Sequence, residues 1–320
     1  MFIFIPYMKK WIIGIVTVAI CSLAAVYIFI PGRLEVSVLG MMKCNAQAVF
    51  RQVGQSERWE KWWPGGLSEV NGQKAFRYGS AIYNPDASHY PLAEISILHE
   101  GKEIKTKMSV VSVATQDSSA IYWQCYLDAG SSPFSRLRQY FYGRALKHDM
   151  NTIFSKLRPF VQNEKNIYGM TVGWGGTPDT FLVATKSFYR DYPTTQDIYR
   201  QLDKLKKYIA RKGTSISGYP MDNITPVTDS GYQLMTAIPT KRPLEGEGDI
   251  YFRRLVPAKF LIAEVKGGDH SVREGWVHFR EYVADHERTV MAIPWEYLVT
   301  DRLQQPDTAK WSTWLYYPVF

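Results

Sequence analysis

The chain of 320 residues has only three cysteines and six histidines. Cys21 falls inside a long apolar run. Cys44 closes the first expected strand while Cys125 lies near the end of an antiparallel neighbour, so their Cα atoms should stand farther apart than the roughly 7 Å a disulfide spans. Two buried, inert thiols are expected. His270, His278 and His286 step by eight, which is not a zinc-ligand pattern on one helix. Short catalytic signatures are missing as well. There is no Gly-x-x-x-x-Gly-Lys loop and no His-Glu-x-x-His, and Gly213-Thr214-Ser215-Ile216-Ser217 lacks the closing glycine of a nucleophile elbow. Gly173-Trp174-Gly175-Gly176 is too short for a dinucleotide fingerprint and reads as part of a linker. No metal and no cofactor is expected from these patterns.

The net charge of +8 is spread along the chain. Lys204, Lys206, Lys207, Arg211 and Lys212 share one segment, but Asp197 and Asp203 interrupt it, which reads as a solvated helix face. No zinc finger, basic zipper or RNA-binding aromatic motif accompanies it, so no nucleic-acid partner is expected.

From Trp11 to Ile30 no charged residue occurs, enough chain to cross a bilayer core of about 30 Å as a helix. Lys9 and Lys10 precede the run and Arg33 and Lys43 follow it, so the positive-inside rule tips only slightly toward a cytoplasmic amino end. That orientation puts the soluble part on the non-cytoplasmic side of a membrane the chain spans once. A cleaved signal peptide, with Ser22-Leu23-Ala24-Ala25 as its small residues, is the competing reading; continuation of the apolar run through Val26 to Ile30 favours a retained anchor. Met8-Lys9-Lys10 reads as an alternative start.

The second half of the chain repeats itself. Phe181-Leu182-Val183-Ala184 returns 79 positions later as Phe260-Leu261-Ile262-Ala263, Tyr219-Pro220-Met221-Asp222 returns after 74 as Ile293-Pro294-Trp295-Glu296, and Ala237-Ile238-Pro239 after 79 as Tyr316-Tyr317-Pro318. Between the first two landmarks each copy carries an amphipathic segment. In the first, Ile198, Leu202, Leu205 and Ile209 follow a Pro193-Thr194 cap. In the second, Ser271 to Glu274 has capping-box spacing ahead of Trp276, Phe279 and Val283. Two strand-helix-strand-strand modules are expected, paired about a pseudo-two-fold axis with a ligand cleft at the seam.

The first half reads differently. A strand over Leu34 to Lys43 and a short helix capped by Asn45 lead to Trp59, Trp62 and Trp63. Strands around 74–82, 92–99, 102–113 and 119–127 follow, then a long helix opened by Ser132-Pro133 with Phe134, Leu137, Phe141, Ala145, Ile153, Phe154 and Leu157 on its apolar side, ending near Pro159. That is the helix-grip order. Cys44 to Gly65, with its Val49-Phe50 helix and Trp59-x-x-Trp62-x-Pro64 turn, resembles the START-like superfamily (polyketide cyclase-like, SRPBCC). The resemblance implies a curved sheet wrapped round the long helix, with a cavity for lipids, sterols or polyketides. The tryptophans themselves read as core and rim packing.

The repeated half resembles the DNA gyrase inhibitor-like (GyrI-like) family, which includes effector-binding domains of multidrug-sensing transcription activators. The residues that carry this are Phe181 to Ala184, Gly267-Gly268, Pro294-Trp295-Glu296-Tyr297-Leu298 and the ending Trp314-Leu315-Tyr316-Tyr317-Pro318-Val319. The resemblance implies a lipophilic, often cationic ligand held between the modules by a carboxylate among aromatic rings. Glu296 matches the family's Glu, with Tyr297, Trp314, Tyr316 and Trp276 as wall candidates; alternation turns Glu296 and Tyr297 to opposite faces. Many relatives carry an acid where this chain has Trp314, a departure that points to a flatter, more apolar ligand.

The expectation is thus an α+β protein with residues 1–32 as a segment containing the transmembrane helix, 33–163 a START-like helix-grip domain, 164–179 a linker and 180–320 a GyrI-like small-molecule-binding domain. Its partners would be the membrane, through residues 11–30, and a hydrophobic or amphiphilic small molecule; no protein partner is legible. The competing functions are hydrolysis of cyclopropane-type alkylators with Glu296 as general base, and a protein-interaction scaffold.

Overall fold

The computed structural model describes residues 5–70, 72–113, 115–178, 180–227 and 231–319. The chain divides into two compact units between Asn163 and Glu164, both of mixed α and β structure.

The first unit begins with helix α1 (Ile5–Phe29) and strand β1 (Arg33–Met42). Helices α2 (Ala46–Gly54) and α3 (Ser56–Trp59) precede strands β2 (Gly66–Val70), β3 (Gln73–Tyr78), β4 (Ala81–His89), β5 (Leu92–His99), β6 (Lys102–Val113) and β7 (Thr115–Asp128), and helix α4 (Pro133–Val161) closes the unit. All seven strands form one antiparallel sheet in the order β1-β7-β6-β5-β4-β3-β2. The alternation of β7 puts Ile121, Trp123, Cys125 and Leu127 in the core. Leu146, Met150, Ile153, Phe154 and Leu157 of α4 are buried as well. Gly40 lets the Phe154 ring approach β1, since a Cβ there would stand 2.7 Å from that ring.

Several details depart from the sequence reading. The stretch 74–82 is a hairpin turning at Gly79 with φ of 58°, a conformation glycine adopts without steric cost. Helix α4 runs two residues beyond Pro159, because a proline in the final turn forfeits one hydrogen bond rather than breaking a long ladder. The apolar side of α4 is buried only in its second half: Phe134 and Phe141 are exposed. The three tryptophans do pack as core. Trp59 and Trp63 stack at 4.7 Å, and the indole N–H groups of Trp59, Trp62 and Trp63 donate to the carbonyls of Val53, Gln52 and Arg77. Cys125 pairs with Val36, while Cys44 lies beyond the Met42–Ser119 end of that ladder. Burial pushes the Cys125 thiol up to about 12.

Within α1, Lys10–Phe29 is long and apolar enough to cross a membrane, with mean hydropathy 2.6 and no burial. Its C-terminal end is tied to the start of α4. The Tyr27 hydroxyl donates to the Ser131 carbonyl at 2.8 Å and Arg136 donates to the Ile30 carbonyl at 2.8 Å.

The second unit opens with a short helix α5 (Glu164–Tyr168) and strand β8 (Val172–Thr177). Then come β9 (Thr180–Tyr189), α6 (Thr195–Arg211), β10 (Met221–Val227), β11 (Gly231–Thr240), β12 (Tyr251–Leu255), β13 (Ala258–Lys266), α7 (Asp269–Asp285), β14 (Trp295–Leu298) and β15 (Ser312–Tyr317). The eight strands form one antiparallel sheet in the order β12-β9-β11-β10-β14-β15-β13-β8. Read from its middle the order is palindromic, with β9, β11 and β10 answered by β13, β15 and β14. The outermost strands are exchanged. β8 precedes β9 in the chain but pairs with β13, and β12 precedes β13 but pairs with β9.

Each module therefore holds four strands and a helix, and residues 164–179, expected as a linker, contain α5 and an edge strand of the sheet. Gly173 to Gly176 belong to that strand. A Cβ on Gly175 would stand 2.1 Å from the Cδ1 of Ile262 across the pair, so the glycine makes room for β13.

Helix α6 starts as its cap predicts: the Thr194 hydroxyl accepts from the Asp197 N–H while the Asp197 carboxylate accepts from the Thr194 N–H. Ile198, Leu202, Leu205 and Ile209 are buried against Val183, Leu234 and Ile238. Helix α7 starts earlier than its capping-box spacing suggests. Gly268 is the cap, Asp269 the first helical residue, and Ser271 lies inside the first turn. Two basic residues of α6 and its cap Lys212 pair with an acidic loop: Lys204 with Asp249 at 2.5 Å, and Arg211 and Lys212 with Glu247 at 2.5 and 3.2 Å.

Candidate functional site

The seam of the duplicated unit is the β10–β14 pair, where Met221 stands opposite Tyr297 and Asp222 opposite Glu296. Asp222 and Glu296 occupy matching places in the two copies, so the pseudo-two-fold axis passes between two carboxylates. Both are buried, at 2% and 6% exposure. Two acids brought this close in a dry place cannot both ionise without compensation.

The surrounding groups treat them unequally. Trp276 of α7 donates its indole N–H to Glu296 Oε1 at 2.6 Å. Arg302, itself buried, places Nη2 3.8 Å from Glu296 Oε2. Arg302 also donates to Asp269 Oδ1 at 3.1 Å and to the Thr313 hydroxyl at 3.0 Å. Neither oxygen of Asp222 has a hydrogen-bond partner among the described residues. Burial raises the Asp222 carboxyl well above the ordinary range, and the Glu296 charge raises it further, while Arg302 opposes. Burial raises Glu296 too, against the Trp276 hydrogen bond and Arg302. The buried inventory is two acids against one arginine, and the upward push is the stronger on Asp222, which lacks the donors that Glu296 has.

Glu296 opens into a cavity of about 580 Å³, within the range of small-molecule sites. Tyr192, Tyr232, Trp276 and Tyr317 contribute to its walls, and Arg273 and Arg280, both exposed, stand at its rim. Tyr192 meets Tyr232 edge to face at 5.2 Å and carries the Arg273 guanidinium 5.0 Å above its ring. Burial first, then the charges of Glu296 and Asp222, push the Tyr192 phenol up, so its O–H is retained as a donor. Asn223 holds the two modules together here, donating to the Pro294 carbonyl at 2.9 Å.

The five candidates from the sequence do not form one site. Antiparallel pairing puts Glu296 with Leu315 on the helix-covered face, where Trp276 joins it. Tyr297, Trp314 and Tyr316 lie on the opposite face, with Trp295 against Tyr316 and Tyr297 against Trp314. There Tyr316 stacks on Trp295 at 5.3 Å and meets Tyr297 edge to face at 4.8 Å. Tyr297, Trp314 and Tyr316 line a separate cavity of about 520 Å³. The absence of an acid at Trp314 therefore has no bearing on the charge around Glu296. Sequence reasoning missed Asp222, although the repeat held the signal: Met221-Asp222 aligns with Trp295-Glu296. It had no means of finding Arg302, which reaches the site from an irregular loop.

Fold and site together define an α+β protein whose second unit is a duplicated antiparallel sheet with a buried acidic pair at its seam. No family model matches the chain, and no curated protein matches it. Among solved structures, the C-terminal domain of EcmrR is similar at 15% identity, with a TM-score of 0.40 over 47% of this chain and 98% of that one. SAV2435 bound to tetraphenylphosphonium is similar at 13% identity and a TM-score of 0.31, covering 47% and 94%. A hydrolase from Listeria innocua is similar at 8% identity and a TM-score of 0.37, covering 47% and 92%.

Proposed function

We propose that the chain is a membrane-anchored small-molecule-binding protein that senses or sequesters hydrophobic cations in the cavity above the acidic pair, its second unit being a GyrI-like module. The observation that carries this reading is the buried Glu296 in the lining of that cavity, with the unpartnered Asp222 carboxyl opposite it across the seam. A buried carboxyl without a partner is costly, and a cation entering the cavity supplies the missing charge. Ring faces of Tyr192, Trp276 and Tyr317 would add about 0.5–2 kcal/mol each to a cation held over them. The rim arginines are solvated and screened, whereas the acids lie in low dielectric, so the acids dominate the field at the cavity floor. The START-like reading of the first unit and an anchoring role for α1 belong to the same proposal; both soluble units would stand on the non-cytoplasmic side.

The test is calorimetry of tetraphenylphosphonium with the full chain in lipid nanodiscs, in buffers of different ionisation enthalpy. Saturable binding is expected, tightening as pH rises and releasing protons, because the charged form of the pair is the one that binds. Glu296→Gln should weaken it at least about tenfold, about 1.4 kcal/mol. Binding that is absent, or indifferent to pH and to Glu296→Gln, would overturn the reading.

A further inference from the structure

The face of the second sheet away from the helices carries its own buried apolar cluster, which includes Leu182, Met221, Phe260, Trp295 and Tyr316. At one margin of that cluster lies the cavity of about 520 Å³. Its aromatic wall is Phe181, Tyr219, Tyr297, Trp314 and Tyr316. Two of these rings are unusually bare: Tyr219 is 46% and Trp314 37% exposed, and they meet edge to face at 6.2 Å. The wall is preformed. The Ser217 N–H donates to the Pro239 carbonyl at 3.0 Å and the Lys241 N–H to the Ser215 carbonyl at 3.2 Å, which fixes the 215–219 loop to the end of β11. Thr177, also in the lining, is buried at 7% exposure, and its hydroxyl has no hydrogen-bond partner among the described residues.

The charge of this cavity is opposite to that of its counterpart across the sheet. Among the described residues its lining holds no acid, and Lys241 is the one charged side chain. We infer that this cavity is a second ligand site, independent of the acidic one, for a flat aromatic molecule bearing a single acidic group. The rings of Trp314 and Tyr219 supply stacking surface. The Lys241 ammonium meets the acid, and the Thr177 hydroxyl is a spare partner for a polar ring substituent. A cation placed here would face Lys241, and no carboxylate among the described lining residues would compensate it. The two faces of one sheet thereby select ligands of opposite charge.

Equilibrium dialysis of 2-naphthalenesulfonate against the full chain in lipid nanodiscs, with empty nanodiscs subtracted, tests the inference. Saturable one-site binding is expected for the wild type. Lys241→Glu and Trp314→Ala should each weaken it at least about tenfold, while the thermal melt and any tetraphenylphosphonium binding stay as in the wild type. Lys241 is exposed, so its variant decides the matter even if Trp314→Ala disturbs the sheet. Absence of saturable binding to the wild type, or equal binding by Lys241→Glu, would overturn the second site whether or not the acidic cavity takes cations.

Discussion

A single pair of residues, Asp222 and Glu296, carries the electrostatics of the second unit. Asp222 binds its proton more tightly folded than unfolded, since burial and Glu296 raise it well above the ordinary value of 3.8. Such a group contributes stability that is fully present below its unfolded value and is lost as pH rises through its folded value. Stability of the second unit should accordingly fall as pH rises from about 4 through the raised range. Asp222→Asn should flatten that slope and raise the melting temperature at pH 8, measured by calorimetry without ligand. A variant that melts lower at pH 8 with the slope intact would show that Asp222 is compensated by a group other than Arg302. At this scale the sequence reading put Glu296 and Trp276 in one set with Tyr297, Trp314 and Tyr316. Strand alternation separates the two sets, and only the paired register reveals which face each set shares.

Helices were the most legible elements, because a period of 3.6 residues is written locally. The faces of α6 and α7 emerged from spacing alone, with Ile198, Leu202, Leu205 and Ile209 on one and Phe279 and Val283 on the other, all buried. The two helices differ in what holds them. Phe279 is wholly buried and packs edge to face on Tyr317 at 5.3 Å, so Phe279→Ala should cost about 3–5 kcal/mol. Thr194→Ala removes one exposed cap of α6 and should cost about 0.5–2 kcal/mol. Urea denaturation of the two variants checks the order; equal losses would mean that α7 packing tolerates the cavity. Strands β8 and β12 were illegible for a different reason. β8 is glycine-rich, and the partners lie 81 to 91 positions away for β8 and 67 to 75 for β12, beyond any local periodicity.

At the scale of the whole molecule, the chain divides between Asn163 and Glu164, where the sequence changes from one antiparallel run to a repeated pattern. The apolar α1 sets the remaining question. If it anchors the chain, membranes washed in alkaline carbonate should retain the full-length protein in the pellet, and a chain lacking residues 1–32 should move to the supernatant. Full-length protein found in the supernatant would refute anchoring. The exchanged edge strands bear on how the second unit comes into being during synthesis. When β9, α6, β10 and β11 have left the ribosome, the flank of β9 is bare until Leu255 follows, and β8, made first, must wait for β13. Neither half of the duplication can be finished before the other has begun, so the nascent unit carries open strand edges that are covered one after another, β9 by β12, β8 by β13 and β10 by β14.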